Sequence, residues 1–374
     1  MYSSTTAAFV FFFLAATAQR HLRVVLYPFV PEHKELFASI KKSFEATHPG
    51  VAVEMIDLST NYYDETKPRA ITNTEADVLE IDSVFMDDFI AGRIQPLPKS
   101  LIPADGTMLP VAASAAQSDG VWYGVPHWAC AHYLFFARGD PLGTATTLDD
   151  IEREIGANPP HGRGLLADLK GKLTLGELYV QAADEVHSPS TLDPNAVNAL
   201  KRARILCEPK FCRSAEYHRI DGFYARQFAD GGGRALLGYS ERLYYVAQES
   251  HDIEVDVIPM SLAQRREARL AWVDSLAISK ACVDRCLSDA AAFIQFATDR
   301  AQVEKGLISS ATGLPRYVLP ALEFFYTDAG FLARMPLYAK FRRGLDGAVP
   351  IRGRKLNATL SAIGRELDEH RLGN

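Results

Sequence analysis

A chain of 374 residues with 48% hydrophobic and 23% charged residues has the composition of a globular protein with enough apolar surface for more than one core. Its 40 Lys and Arg against 46 Asp and Glu leave a formal net charge of -6, spread along the chain without a basic run. That balance excludes nucleic acid and anionic membrane as expected partners, and the lack of repeats or low-complexity tracts excludes a solenoid or a disordered scaffold.

In chain order, the first feature is AAFVFFFLAATA (Ala7 to Ala18), an apolar run too short to span a bilayer that ends in the small residues Ala16, Thr17 and Ala18. It predicts a signal peptide over residues 1–18, although Met1 to Thr6 lacks the usual Lys or Arg; the alternative is a buried apolar strand. Later segments are too short or too polar to cross a membrane, so the mature protein is expected to be soluble and secreted, extracellular or periplasmic. LRVVLYPFV (Leu22 to Val30) reads as a strand, followed by an amphipathic helix from about Glu35 to Ala46 with Leu36, Phe37, Ile40 and Phe44 on one face. VAVEMIDL (Val51 to Leu58) and ADVLEIDSVF (Ala76 to Phe85) are further strands, giving βαβ units and an expected parallel sheet.

After Tyr123-Gly124-Val125-Pro126 comes AHYLFFA (Ala131 to Ala137), an apolar run placed to cross from one lobe to a second. RALLGYS (Arg234 to Ser240) and VDVIPM (Val255 to Met260) supply two more strands, and the chain beyond Ser288 carries a mostly helical pattern. GDPLG, NPPHGRG and DGGG mark turns.

The five cysteines add a constraint. In an oxidising compartment thiols within reach of one another pair. Cys207 and Cys212 bracket LCEPKFC and Cys282 and Cys286 bracket CVDRC, which makes them disulfide candidates; four cysteines allow three connectivities. Cys130 is left over, either as a buried inert thiol or as a nucleophile. Cys207 and Cys212 lack histidines in a zinc-ligand spacing, so no metal is expected.

An α/β protein usually builds its site at the carboxyl ends of strands or in a cleft between lobes. Tyr27 and Phe29 end the first strand, Asp82 the third, Tyr239, Ser240 and Glu241 the run after the glycines, and Trp272 and Asp274 close another apolar stretch. Each has an ordinary reading as well: Asp82 as a helix cap, Tyr239 as packing, Glu241 as a charge opening a helix.

Seven segments in order from about residue 22 to about residue 325 resemble the thiaminase I (thiamine pyridinylase) family: YPFVPE, ADVLEIDSVFMDDFI, VWYGVPHWACAHYLFFARGD, RGLLADL, FADGGGRALLGYSE, WVDSLAIS and LPRYVLPA. The resemblance implies a two-lobed α/β, type II periplasmic-binding-protein-like fold with a ligand cleft between the lobes. Residues 20–128 and 275–374 are expected to form one lobe and 129–274 the other. It places the catalytic cysteine on Cys130, the general base on Glu241, the carboxylate for the pyrimidine amino group on Asp82 and a second cleft aspartate on Asp274. Its aromatic walls fall on Tyr27 and Tyr239. Phe29 and Trp272 stand where relatives carry tyrosine, Tyr224 is the nearest candidate for a further cleft tyrosine, and another falls on Tyr62 or Tyr63.

The implied chemistry is attack of the Cys130 thiolate on the pyrimidine of thiamine, loss of the thiazole, and transfer of the pyrimidinylmethyl group to an amine or thiol, with no cofactor. A monomer is the default expectation. Two other functions use the same residues less completely. A secreted thiamine- or pyrimidine-binding protein would keep the aromatic cleft and the aspartates but has no use for Cys130 with Glu241. An acyl-transfer enzyme needs a histidine partner, and His127 and His132 flank Cys130 on what reads as a strand, where they are expected to be surface or packing residues. Asn357-Ala358-Thr359 matches a glycosylation acceptor.

Overall fold

A computed structural model describes residues 19–183, 186–212, 216–217, 221–250, 254–260, 262 and 269–373; the signal-peptide segment lies outside them. Strand β1 (Arg20–Val25) leads into helix α1 (His33–Thr47), which buries the expected Leu36, Phe37, Ile40 and Phe44. β2 (Val51–Met55) and β3 (Val78–Asp82) follow, both parallel to β1. These strands are shorter than the sequence suggests. β1 stops before Pro28, which has no N–H to give a ladder, so Tyr27 and Phe29 stand in the segment after the strand. β3 stops at Asp82, whose carboxylate accepts the Val84 N–H and opens helix α2 (Ser83–Gly92).

β4 (Gly124–Cys130) and β5 (His132–Ala137) are separated by Ala131 alone. β6 (Leu165–Leu166) and helix α3 (Lys172–Ala183) precede helix α4 (Phe223–Ala229), β7 (Ala235–Tyr239), helix α5 (Arg242–Glu249) and β8 (Val255–Pro259). β9 (Leu270–Ile278), helix α6 (Arg285–Ala297), β10 (Leu319–Pro320), β11 (Val349–Pro350) and helix α7 (Leu356–Glu366) complete the elements that bear on the site.

Two sheets organise these strands. The larger has the order β10-β4-β9-β3-β1-β2, with β11 beside the start of β9; the smaller has the order β8-β5-β7-β6. The expected parallel sheet is mixed. β9 returns antiparallel between β3 and β4, and β5 runs antiparallel to both β7 and β8. The βαβ pattern was confined to the first three strands, and periodicity says nothing about the direction of strands that arrive from far along the chain. The apolar run Ala131 to Ala137 does carry the chain from one sheet to the other.

Helices α3 and α7 lie in unusually close contact. A Cβ on Gly176 would fall 2.1 Å from the Leu360 carbonyl oxygen, and one on Gly364 would meet the Lys172 carbonyl. Only glycine lets the two backbones approach this far, and that approach fixes the helix that carries Glu177. Cys207 joins Cys212 and Cys282 joins Cys286, and Cys130 is free. The carboxylate of Asp77 lies near the second pair, but both sulfurs there are spent in the disulfide. Asn357 is buried, its amide bonded to the Tyr63 carbonyl and to Glu65, so the folded chain does not present it for glycosylation.

Candidate active site

Strand pairing brings the sequence-separated candidates together. On β9, Asp274 has Asp82 of β3 as its Cα partner on one side and Trp128 of β4 on the other; two residues earlier, Trp272 pairs with Cys130. On β7, Tyr239 pairs with His132, the first residue of β5, and Glu241 follows at the start of α5. Cys130 therefore stands where the chain leaves one sheet for the other, with the carboxylates of the first sheet on one side and the end of β7 on the other.

Burial governs the electrostatics. The Cys130 thiol is pushed well above its ordinary range, first by burial and then by the negative charges of Glu241, Asp274 and Asp82. It is a neutral thiol near pH 7 and needs a base. Burial raises Glu241 to about 7, with the neighbouring Arg242 guanidinium pulling in the other direction. Asp82 rises to about 6 through burial, opposed by hydrogen bonds from Tyr63, Val84 and Ser83. Asp274 is pushed well above the carboxylate range by burial and by Asp82, and its Oδ1 has no hydrogen-bond partner among the described residues. A buried carboxyl oxygen without a partner is costly, and it marks where a donor from outside the protein would bind.

The aromatic walls are built from both sheets. The Tyr27 hydroxyl lies 3.0 Å from that of Tyr63, which in turn donates to Asp82. The Tyr27 backbone N–H donates to Glu80 at 2.8 Å, and the other oxygen of Glu80 meets His127 Nδ1 at 2.7 Å. Phe29 is 43% exposed and stacks on Tyr63 with ring centroids 5.4 Å apart. Tyr62 has a different role from Tyr63: fully buried, it donates to the Glu80 carbonyl and accepts the Asp82 N–H, both at 2.9 Å, and so braces the end of β3. On the opposite side Tyr239 stacks on His132 at 4.2 Å and meets Trp272 edge-on at 5.7 Å. The Trp272 indole N–H is buried without a partner among the described residues.

Both flanking histidines are buried packing residues rather than surface ones. His132 is lowered to about 3 by burial and by Arg242, and its Nδ1 meets the Gln181 amide at 2.7 Å, so it carries no charge to lend to Cys130.

Sequence reading missed Glu177. This α3 residue accepts the Tyr239 hydroxyl at 2.8 Å and is raised to about 8 by burial. The signal was present: a carboxyl in TLGELYV stands among Leu175, Leu178, Tyr179 and Val180, all buried. A cleft of about 430 Å³ is lined by Phe29, His33, Tyr224, Leu237 and Arg242, and Phe29 is in ring contact with Tyr27.

A model described as the Thiaminase-1 domain matches residues 132–261. Thiaminase-1 of Paenibacillus thiaminolyticus is 27% identical over 344 residues, covering 87% of this chain and 81% of that protein. The chain is similar to thiaminase I along most of its length. Among solved structures, Clostridium botulinum thiaminase I in complex with thiamin superposes with a TM-score of 0.82 at 20% identity, covering 94% of this chain and all of that one. The maltose-maltodextrin binding protein of Alicyclobacillus acidocaldarius superposes with a TM-score of 0.66 at 15% identity over 93% of this chain and 95% of its own. The fold therefore agrees with the resemblance read from the seven segments, including the type II periplasmic-binding-protein-like architecture.

Proposed function

We propose that this protein cleaves thiamine at its methylene bridge and transfers the pyrimidinylmethyl group to a small amine or thiol. The observation that carries the reading is the meeting, in one buried centre, of the free thiol of Cys130, a carboxylate poised near neutrality in Glu241, and the carboxyl of Asp274, whose Oδ1 has no partner among the described residues.

Glu241 takes the Cys130 proton, and the thiolate attacks the electrophilic pyrimidine carbon. The electron pair of the methylene C–N bond leaves with the thiazolium, which departs as a neutral thiazole. The incoming nucleophile adds to the methylene carbon and gives up its proton to solvent. The sulfur leaves with its bonding pair and recovers the proton held on Glu241. Asp82 accepts from the pyrimidine amino group and the protonated carboxyl of Asp274 donates to a ring nitrogen, while Tyr27, Tyr239 and Trp272 enclose the ring and, with Phe29 and Tyr224, the thiazolium. Every step balances without a cofactor.

The two disulfides support an exported protein, and no helix among the described residues is long and apolar enough to cross a membrane. Division into lobes of residues 20–128 with 275–374 and of 129–274, a cleft that opens for exchange, and a monomer belong to the same reading.

The test is incubation of the protein with thiamine and excess pyridine or aniline, following thiamine loss and product mass. Formation of the pyrimidinylmethyl adduct, abolished in Cys130→Ser, is expected. Survival of thiamine with a raised melting temperature would replace transfer with simple binding.

A further inference from the structure

The cleft whose lining includes Phe29, in ring contact with Tyr27, and Arg242, next in the chain to Glu241, has an unbalanced charge. Arg242 is committed to Asp221, with its Nη1 at 3.0 Å from Oδ1. His33, also in its lining, is lowered by burial and is neutral near pH 7. Asp168 lines the same cleft, accepting the backbone N–H groups of Lys170 at 3.1 Å and Gly171 at 2.9 Å and, weakly, the Thr174 hydroxyl at 3.4 Å. The Lys170 ammonium is turned away to Asp368 at 2.6 Å, and no described basic side chain forms an ion pair with Asp168.

An independent feature points to a ligand in the same place. Tyr224 lines the cleft, is only 9% exposed, and its hydroxyl has no hydrogen-bond partner among the described residues. Gly222 sets this residue's position: it adopts a φ of +70° at the start of α4, and a Cβ there would strike the Tyr245 ring at 2.4 Å. The cleft thus offers one carboxylate with no ion-pair partner among the described residues and one open hydroxyl beside the apolar Leu236 and Leu237.

We infer that this cleft is the subsite of the second substrate and that it selects a nucleophile carrying a positive charge close to its attacking atom, held by Asp168 and Tyr224. The inference rests on the transfer reading above. Its chemical sense follows from the leaving group: thiazolium enters as a cation and departs neutral, so the cleft, with Asp168 and Asp221 against the single guanidinium of Arg242, is again net negative and favours the entry of a new cation.

Three thiols with the same attacking sulfur separate charge from reactivity: 2-aminoethanethiol (cationic), 2-mercaptoethanol (neutral) and mercaptoacetate (anionic). Pairwise competition for the pyrimidinylmethyl group, read as product ratios by mass, is compared between the unmodified protein and Asp168→Asn. Dividing one ratio by the other cancels the intrinsic reactivity of each thiol. Asparagine keeps the oxygen that accepts from Lys170 and Gly171. The cationic-to-anionic ratio is expected to fall about tenfold in Asp168→Asn, and to fall in the unmodified protein as ionic strength rises. Tyr224→Phe is expected to raise KM for all three thiols and leave their order intact.

An unchanged ratio in Asp168→Asn, or a salt-independent ratio in the unmodified protein, overturns the inference while transfer stands. The salt series gives that answer even if the Asp168 variant fails to fold. Absence of adduct with any of the three thiols would instead overturn the transfer reading.

Discussion

Replacing Glu241 by Gln should make the protein more resistant to alkaline pH while stopping turnover. A carboxyl that ionises near 4.5 in the unfolded chain and at about 7 in the fold costs on the order of 3 kcal/mol to keep ionised. The folded value is the higher one, so the associated stability is complete below about pH 4.5 and is lost as pH rises through about 7. Between pH 5 and 8 the unmodified protein therefore loses most of that energy at this position, and the Gln variant does not. The readout is the difference between the two proteins in their pH-dependent drop of melting temperature, expected to be a few degrees. Packing changes that do not depend on pH cancel in it. In parallel, kcat/KM for thiamine should fall about tenfold per pH unit below about 7 in the unmodified protein, and Gln at this position should slow turnover by roughly a hundredfold or more. An equal pH-dependent drop in both proteins would refute the buried-carboxylate argument. Full turnover in the Gln variant would refute the assignment of the base.

Asp274→Asn should weaken thiamine binding by at least roughly tenfold, since Oδ1 is the open acceptor in the centre; isothermal titration with the Cys130→Ser background checks this, and unchanged affinity would remove Asp274 from recognition. Alkylation under denaturing, non-reducing conditions should tag one thiol by intact mass, Cys130.

The sequence made the individual strands, the first helix and both disulfide pairs legible, because alternation, amphipathic spacing and short cysteine separations are local signals. It also marked Cys130 as the odd thiol. Sheet direction was not legible. β9 inserts antiparallel between β3 and β4 from nearly two hundred residues downstream, and only that insertion sets Asp274 opposite Asp82. The choice between Tyr62 and Tyr63 depended on which hydroxyl faces the backbone and which the carboxylate, which neighbouring positions in a loop do not reveal. Glu177 was missed because its meaning comes from Tyr239 on another element, held in reach by a helix contact that two glycines permit. Asp168 stands within one of the resembling segments, and its significance lies in its place on a cleft where no described basic side chain forms an ion pair with it.

The single-residue step between β4 and β5 gives Cys130, the proposed nucleophile, a mechanical setting of its own. A point on a pivot moves least when the bodies on either side of it rock. A pyrimidine carried on Cys130 would stay registered against Asp82 and Asp274 while the cleft opened and closed around it. One half-product could then diffuse out and the next reactant in, without the covalent cargo losing its place between the two steps of a ping-pong cycle.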